Sequence, residues 1–187
     1  MLRRFLVGGL LVAVLAVAVL AVAVQADDKH DEHKDHVGAG PTNAQFEKLK
    51  KLVGTWVEAD KDGKPTDKVV SVMKLTAGGS ALHETIFPGQ PLEMVSVYTV
   101  DGHDLVMTHY CVIGNQPRMK ADPKSPADQI NFEFAGGGNL DPKKDKHMHA
   151  AKLKLIDADH IELEGTGWED GAPAKEMCGV MKLVRKK

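Results

Sequence analysis

The chain has 187 residues, with 24 basic and 26 acidic side chains and a formal net charge of −2 at pH 7. This near balance excludes the strongly basic surface with which proteins usually attract nucleic acid. Aromatic residues make up only 5% of the sequence, so a core must rely on aliphatic side chains and methionine. The length fits one domain with a substantial core.

The first residues, Met1 to Ala26, have the three parts of a secretory signal peptide. Arg3 and Arg4 supply the positive end, residues 5–24 are apolar, and a small residue precedes the expected cleavage site. We therefore expect a mature protein that begins at Asp27 and is exported to the periplasm or the extracellular space. The apolar stretch is also long enough to span a bilayer. An uncleaved anchor is the alternative, and this segment would then be the only contact with the membrane.

Residues 27–42 are predicted to form a charged, histidine-containing linker, because they show no apolar periodicity. A short helix is predicted over Phe46–Val53, where apolar residues recur at helical spacing. Thr42 or Asn43 is suited to cap its first turn. The helix leads into Gly54-Thr55-Trp56, and from there the apolar pattern changes to a period of two.

This alternation predicts a succession of strands separated by short turns. The predicted strands are Thr55–Glu58, Lys68–Leu75, Ser80–Phe87, Leu92–Val100, Asp104–Ile113, Gln129–Phe134, Met148–Ile156, His160–Gly167 and Ala174–Val184. Such short connections require antiparallel neighbours, since a parallel pair needs a long crossover. The predicted fold class is all-β: residues 43–187 form an antiparallel up-and-down barrel of about nine or ten strands with a short N-terminal helix. A barrel of this size has room for an internal cavity.

Cys111 and Cys178 are the only cysteines. Two cysteines in an exported protein suggest a disulfide. The strand pattern argues against one, because it places Cys178 on an outward face and Cys111 on the same face as Met107 and His109. We predict that the two thiols are not bonded to each other.

A short helix followed by Gly54-Thr55-Trp56 and a β-meander resembles the lipocalin and fatty-acid-binding-protein superfamily. Four further runs look like an uncharacterised family of exported bacterial lipocalin-like domains: His109-Tyr110-Cys111, Asn115-Gln116-Pro117-Arg118-Met119, His147-Met148-His149 and Asp157-Ala158-Asp159-His160. The resemblance covers about Phe46 to Lys187 and implies a barrel, but no reaction. The last strand departs from the expected pattern at Met177-Cys178-Gly179.

The candidate ligand-binding residues are His109, Tyr110, Asn115, Gln116 and Arg118. Most of them are predicted to lie in a connection at a barrel mouth, where the polar head of a ligand is commonly bound. Arg118 has a planar fork of donors suited to a carboxylate or phosphate, and the two amides are placed to orient it. In the alternative, Arg118 pairs with Glu84 or Glu133 and closes the barrel end.

His147 and His149 form a His-x-His pair on a predicted strand. Two such imidazoles lie on one side of a regular strand, about 7 Å apart. With His109 as a third ligand they would hold zinc or another divalent ion. In the alternative, the histidines form hydrogen bonds inside a partly polar barrel.

The sequence favours an exported binding protein that holds a small apolar or amphipathic ligand, with no assigned reaction. One alternative is a metal-dependent enzyme or metal-binding protein that uses His109, His147 and His149. Another is an envelope protein with a solidly packed barrel. A barrel fold alone does not choose among these classes.

Overall fold

The computed structural model describes residues 42–187. The predicted signal segment Met1–Ala26, with its alternative as an anchor, lies outside the described residues, as does the predicted linker up to residue 41. Within the described part, no helix has the length and apolar character needed to cross a bilayer.

The predicted helix is confirmed as α1, which spans Ala44–Lys50. Asn43 caps it, because its side-chain oxygen accepts hydrogen bonds from the backbone N–H groups of Gln45 and Phe46, both at 2.9 Å. Phe46 and Leu49 are buried against the barrel. The helix ends earlier than the sequence pattern predicts.

Ten strands follow the helix. They are β1 (Gly54–Ala59), β2 (Pro65–Thr76), β3 (Ala81–Ile86), β4 (Met94–Asp101), β5 (Asp104–Tyr110), β6 (Gln116–Ala121), β7 (Gln129–Gly138), β8 (His147–Leu155), β9 (His160–Glu169) and β10 (Ala172–Arg185), with a 3₁₀ turn at Ala77–Gly79 between β2 and β3. Each strand pairs antiparallel with its neighbours in the chain, and β1 also pairs with β10, which closes the barrel. The predicted fold class is confirmed.

Strand β6 is absent from the predicted strands: its residues were predicted to lie in a connection, with a separate strand at residues 118–121 as the alternative. Its Pro117, Met119 and Ala121 are nevertheless buried, while the residues between them are more exposed. The proline is tolerated because it lies near the start of the strand, where the register with β7 shifts.

Helix α1 lies across one end of the barrel, which we call the helix end. The side chains of Asn43, Gln45 and Lys48 donate to carbonyl oxygens of His103, Asp122 and Ala127 at 2.8, 2.9 and 2.8 Å. Those acceptors belong to the connections after β4 and β6, which meet at this end because consecutive antiparallel strands alternate in direction. The connections after β1, β3, β5, β7 and β9 form the opposite end, which we call the loop end.

Gly54, Trp56 and Arg185 fasten the helix to the first and last strands. Trp56 is fully buried, and the Arg185 guanidinium lies 4.4 Å from the centre of its ring. Arg185 also donates to the carbonyl oxygens of Val53 and Lys51 at 2.8 and 2.9 Å. A side chain at Gly54 would lie 3.0 Å from the guanidinium, and its φ of +140° also favours glycine.

Candidate functional site

A cavity of about 80 Å³ lies inside the barrel. Strands β2 to β5 contribute the apolar Val70, Ile86 and Met107 and five polar residues, which we call the polar wall: Ser71, Glu84, Ser96, Tyr98 and His109. Strands β7 to β10 contribute Gly165, the ion pair of Lys152 and Glu164, and six apolar residues, which we call the apolar wall: Phe132, Met148, Ala151, Leu153, Leu163 and Met181. The cavity is therefore amphipathic, and its uncharged hydrogen-bonding side chains lie on the β2–β5 side.

The side chains of the polar wall form two hydrogen-bonded groups. Ser71 donates to Glu84 Oε1 at 2.6 Å, and the Tyr98 hydroxyl donates to Glu84 Oε2 at 2.7 Å. In the second group, Ser96 Oγ lies 3.0 Å from His109 Nδ1. Glu84, Ser96 and His109 are direct partners across β3, β4 and β5, so the pleat points all of them to one face.

Glu84 is an acidic group almost removed from water, with 2% of its surface exposed. Burial raises the pKa of Glu84 above its ordinary value of 4.5, although hydrogen bonds with Ser71 and Tyr98 act in the opposite direction. Among residues 42–187, no lysine or arginine forms an ion pair with this carboxyl. The surroundings of Glu84 thus favour its neutral form.

His109 is the buried partner of Ser96. It is 1% exposed, and burial lowers the pKa of His109 to about 4, so the ring is neutral at pH 7. Its Nε2 atom is buried and has no hydrogen-bond partner in the protein. A buried polar atom without a partner costs about 1–3 kcal/mol. Since His109 lines the cavity, a bound molecule with a matching polar group would recover this energy.

The structure separates His109 from two of its predicted partners. Tyr110 is 49% exposed. Arg118 lies opposite Thr108, and neighbouring positions of a strand face opposite sides, so Arg118 and His109 do not meet. Arg118 instead binds Asp101 on the barrel surface, with 2.7 Å between Nη2 and Oδ2.

Asn115 and Gln116 join connections rather than orient Arg118. The Asn115 amide donates to the carbonyl oxygen of Lys146 at 2.7 Å, which ties the β5–β6 connection to the β7–β8 connection at the loop end. Gln116 donates to the carbonyl oxygen of Gly114 at 2.9 Å. The Asn139 amide donates to the same oxygen at 2.9 Å. These contacts set the shape of the loop end.

His147 and His149 bind each other. His147 Nδ1 lies 2.7 Å from the carbonyl oxygen of Asp145, and its Nε2 lies 3.0 Å from His149 Nδ1. A carbonyl oxygen only accepts, so Nδ1 of His147 carries the proton and its Nε2 accepts from His149. The His149 ring stacks on Trp168 and Phe134, with centroid distances of 3.9 and 5.0 Å.

This arrangement gives no support to the proposed zinc site. In the part of the chain that the structure describes, no cluster of three or more His, Cys, Asp or Glu side chains is arranged to hold a metal ion. The register shift between Met148 and Ala150 explains why the pair differs from two parallel ligands on a regular strand. Both ring nitrogens of His147 are already engaged.

Both cysteines are free, as predicted. Cys111 lies beside Met94, with 3.9 Å between the sulfur atoms. Cys178 donates to the carbonyl oxygen of Ala174 at 3.3 Å.

The sequence analysis missed Ser71, Ser96 and Tyr98, and it did not place Glu84 inside the barrel. The alternation contained a usable signal. Glu84 shares a strand face with Leu82, an apolar residue that is fully buried, so the pattern would have placed a carboxyl among the inward-facing residues. Such a position is a common mark of a functional site.

Comparison with models of protein families found no match, and comparison with curated proteins found none either. The fold therefore defines the class: this is a closed antiparallel β-barrel protein with an internal cavity, consistent with a lipocalin-like fold. The finer resemblance to one exported bacterial family gains no support from these comparisons.

Proposed function

We propose that this protein is an exported lipocalin-like binding protein that holds a small, largely apolar ligand inside its barrel. The observation that carries the proposal is the amphipathic cavity, in which an apolar wall faces the unpartnered Nε2 of His109. The apolar wall would stabilise the carbon skeleton of the ligand by about 25 cal/mol for each Å² removed from water. The polar wall would fix its orientation, as in most small-molecule sites.

The dimensions and charge of the cavity restrict the ligand. Its volume is about 80 Å³, which is smaller than the cavity of roughly 150 Å³ that admits benzene in an engineered protein. The ligand, or the part of it inside the barrel, is therefore compact. Lys152 also reaches the lining, but its charge is paired with Glu164 at 2.8 Å. An uncharged ligand fits this cavity better than a carboxylate or phosphate.

Export rests on the signal-like segment Met1–Ala26, and the proposed location is the periplasm or the extracellular space. A buried site in an exported barrel suits a molecule that is poorly soluble in water. No reaction is assigned, and the expected partner is a small molecule rather than nucleic acid.

Native mass spectrometry of the protein exported by its host tests this function. A bound organic mass is expected in the unmodified protein. Ala151→Leu should abolish it, because Ala151 lines the cavity and the larger side chain would fill it.

The matched control is Ala150→Leu, one position earlier on the same strand. Ala150 pairs with the exposed Glu133 and does not line the cavity. That variant should keep the bound mass. A protein without any organic mass, or a ligand that Ala151→Leu retains, would contradict the proposal.

A further inference from the structure

We propose that the polar wall selects ligands by a hydrogen-bond acceptor, such as a ketone, ester or amide carbonyl, which binds an N–H group at Nε2 of His109. The inference rests on the proposed function and names the ligand class. It follows from the direction in which the protons of the polar wall must be arranged.

The tautomer of His109 follows from the direction of its hydrogen bond with Ser96. If Nδ1–H donated to Ser96, the buried Ser96 hydroxyl would need another acceptor, and in the described residues its only side-chain hydrogen bond is the one with His109. In this arrangement Nε2 has a lone pair and would bind a ligand donor.

The Ser96 hydroxyl has an acceptor when it donates to Nδ1 of His109. The remaining ring proton of the neutral histidine is then on Nε2, which becomes a donor to the ligand. Glu84 does not change this direction, because it hydrogen-bonds Ser71 and Tyr98 and not Ser96.

The tautomer of His109 tests the proton direction without any ligand. Long-range ¹H–¹⁵N NMR of the folded mature protein should show the proton on Nε2. In Glu84→Gln the same tautomer is expected, because the amide N–H₂ can donate to Tyr98 while the amide oxygen accepts from Ser71. A proton on Nδ1 in the unmodified protein, or a change of tautomer in Glu84→Gln, would overturn the inference.

A matched pair of probes tests the selectivity. Cyclopentanone offers only an acceptor, whereas cyclopentanol would bring a buried hydroxyl proton that finds no partner. Cyclopentanone should bind about tenfold more tightly, which corresponds to one unsatisfied hydrogen-bonding group. His109→Leu should abolish this preference, and Glu84→Gln should keep it.

Tighter binding of cyclopentanol would overturn the inference while leaving the proposed function intact. Binding of neither probe would also overturn it. The mass spectrum of the exported protein would then show whether the proposed function fails as well.

Discussion

Gly167 in β9 has a tightly packed neighbour, and its replacement by alanine should destabilise the barrel. A Cβ atom at this position would lie 2.2 Å from Met177 Cβ. The nearest atom is attached directly to the β10 backbone, so rotation of the methionine side chain cannot relieve the overlap. β10 itself is irregular here, since its register with β9 shifts between Ala174 and Gly179. We expect Gly167→Ala to cost about 1–3 kcal/mol, the range for an overpacked core.

Gly165→Ala is the matched control on the same strand face. Its added Cβ would find only Met148 Cε, at an ordinary contact distance of 3.9 Å. This variant should be as stable as the unmodified protein or gain about 0.4–1 kcal/mol from a less flexible unfolded chain. Urea unfolding followed by tryptophan fluorescence gives both free energies. Equal stability of the two variants would refute the reasoning, and Met177→Gly should restore stability to Gly167→Ala.

Three further predictions concern single side chains. Burial lowers the pKa of His109 to about 4, so the unfolded chain takes up a proton on this side chain before the folded protein does. The free energy of unfolding should therefore fall as the pH decreases from 6.5 to 4. Urea titrations at each pH should show that His109→Gln removes about 3 kcal/mol of this loss. Arg185→Ala removes three hydrogen bonds to carbonyl oxygens, the ion pair with Asp159 and the contact with Trp56. It should lower the free energy of unfolding by about 2–4 kcal/mol in urea titrations, with Arg185→Lys restoring only part of the loss. Arg118→Ala should leave the bound organic mass unchanged in native mass spectrometry, because Arg118 pairs with Asp101 outside the cavity. Loss of the ligand from this variant would show that Arg118 belongs to the site.

Local patterns were sufficient to predict the barrel. Alternation marks each buried strand face, short turns require antiparallel pairing, and Asn43 is a strong helix cap. The missing strand β6 is short and begins beside Pro117, a residue that usually argues against a strand. Strand β6 also determines which neighbouring residues face the cavity. Omitting this strand therefore leads to a wrong prediction of the site residues.

The site was harder to predict because it depends on side-chain direction. His109 and Arg118 were predicted to lie together at one end of the barrel. Strand β6 instead pairs Arg118 with Thr108, so the Arg118 and His109 side chains point to opposite faces of the sheet. The His147 and His149 pair was expected on a regular strand, whereas the register shift after Met148 changes that geometry. Glu84 breaks the rule that inward positions are apolar, and such exceptions become interpretable only when the partners on other strands are known.

The contacts of Arg185 have a consequence for when this protein folds. Two of its carbonyl acceptors, Val53 and Lys51, lie 132 and 134 positions earlier in the chain. The first strand therefore has no partner on its β10 side until the last strand has been made, and closure must bring together distant parts of the chain, which slows folding. If Met1–Ala26 acts as the proposed export signal, this delay would keep the barrel open while the chain is being delivered. We expect closure to be the last step of folding.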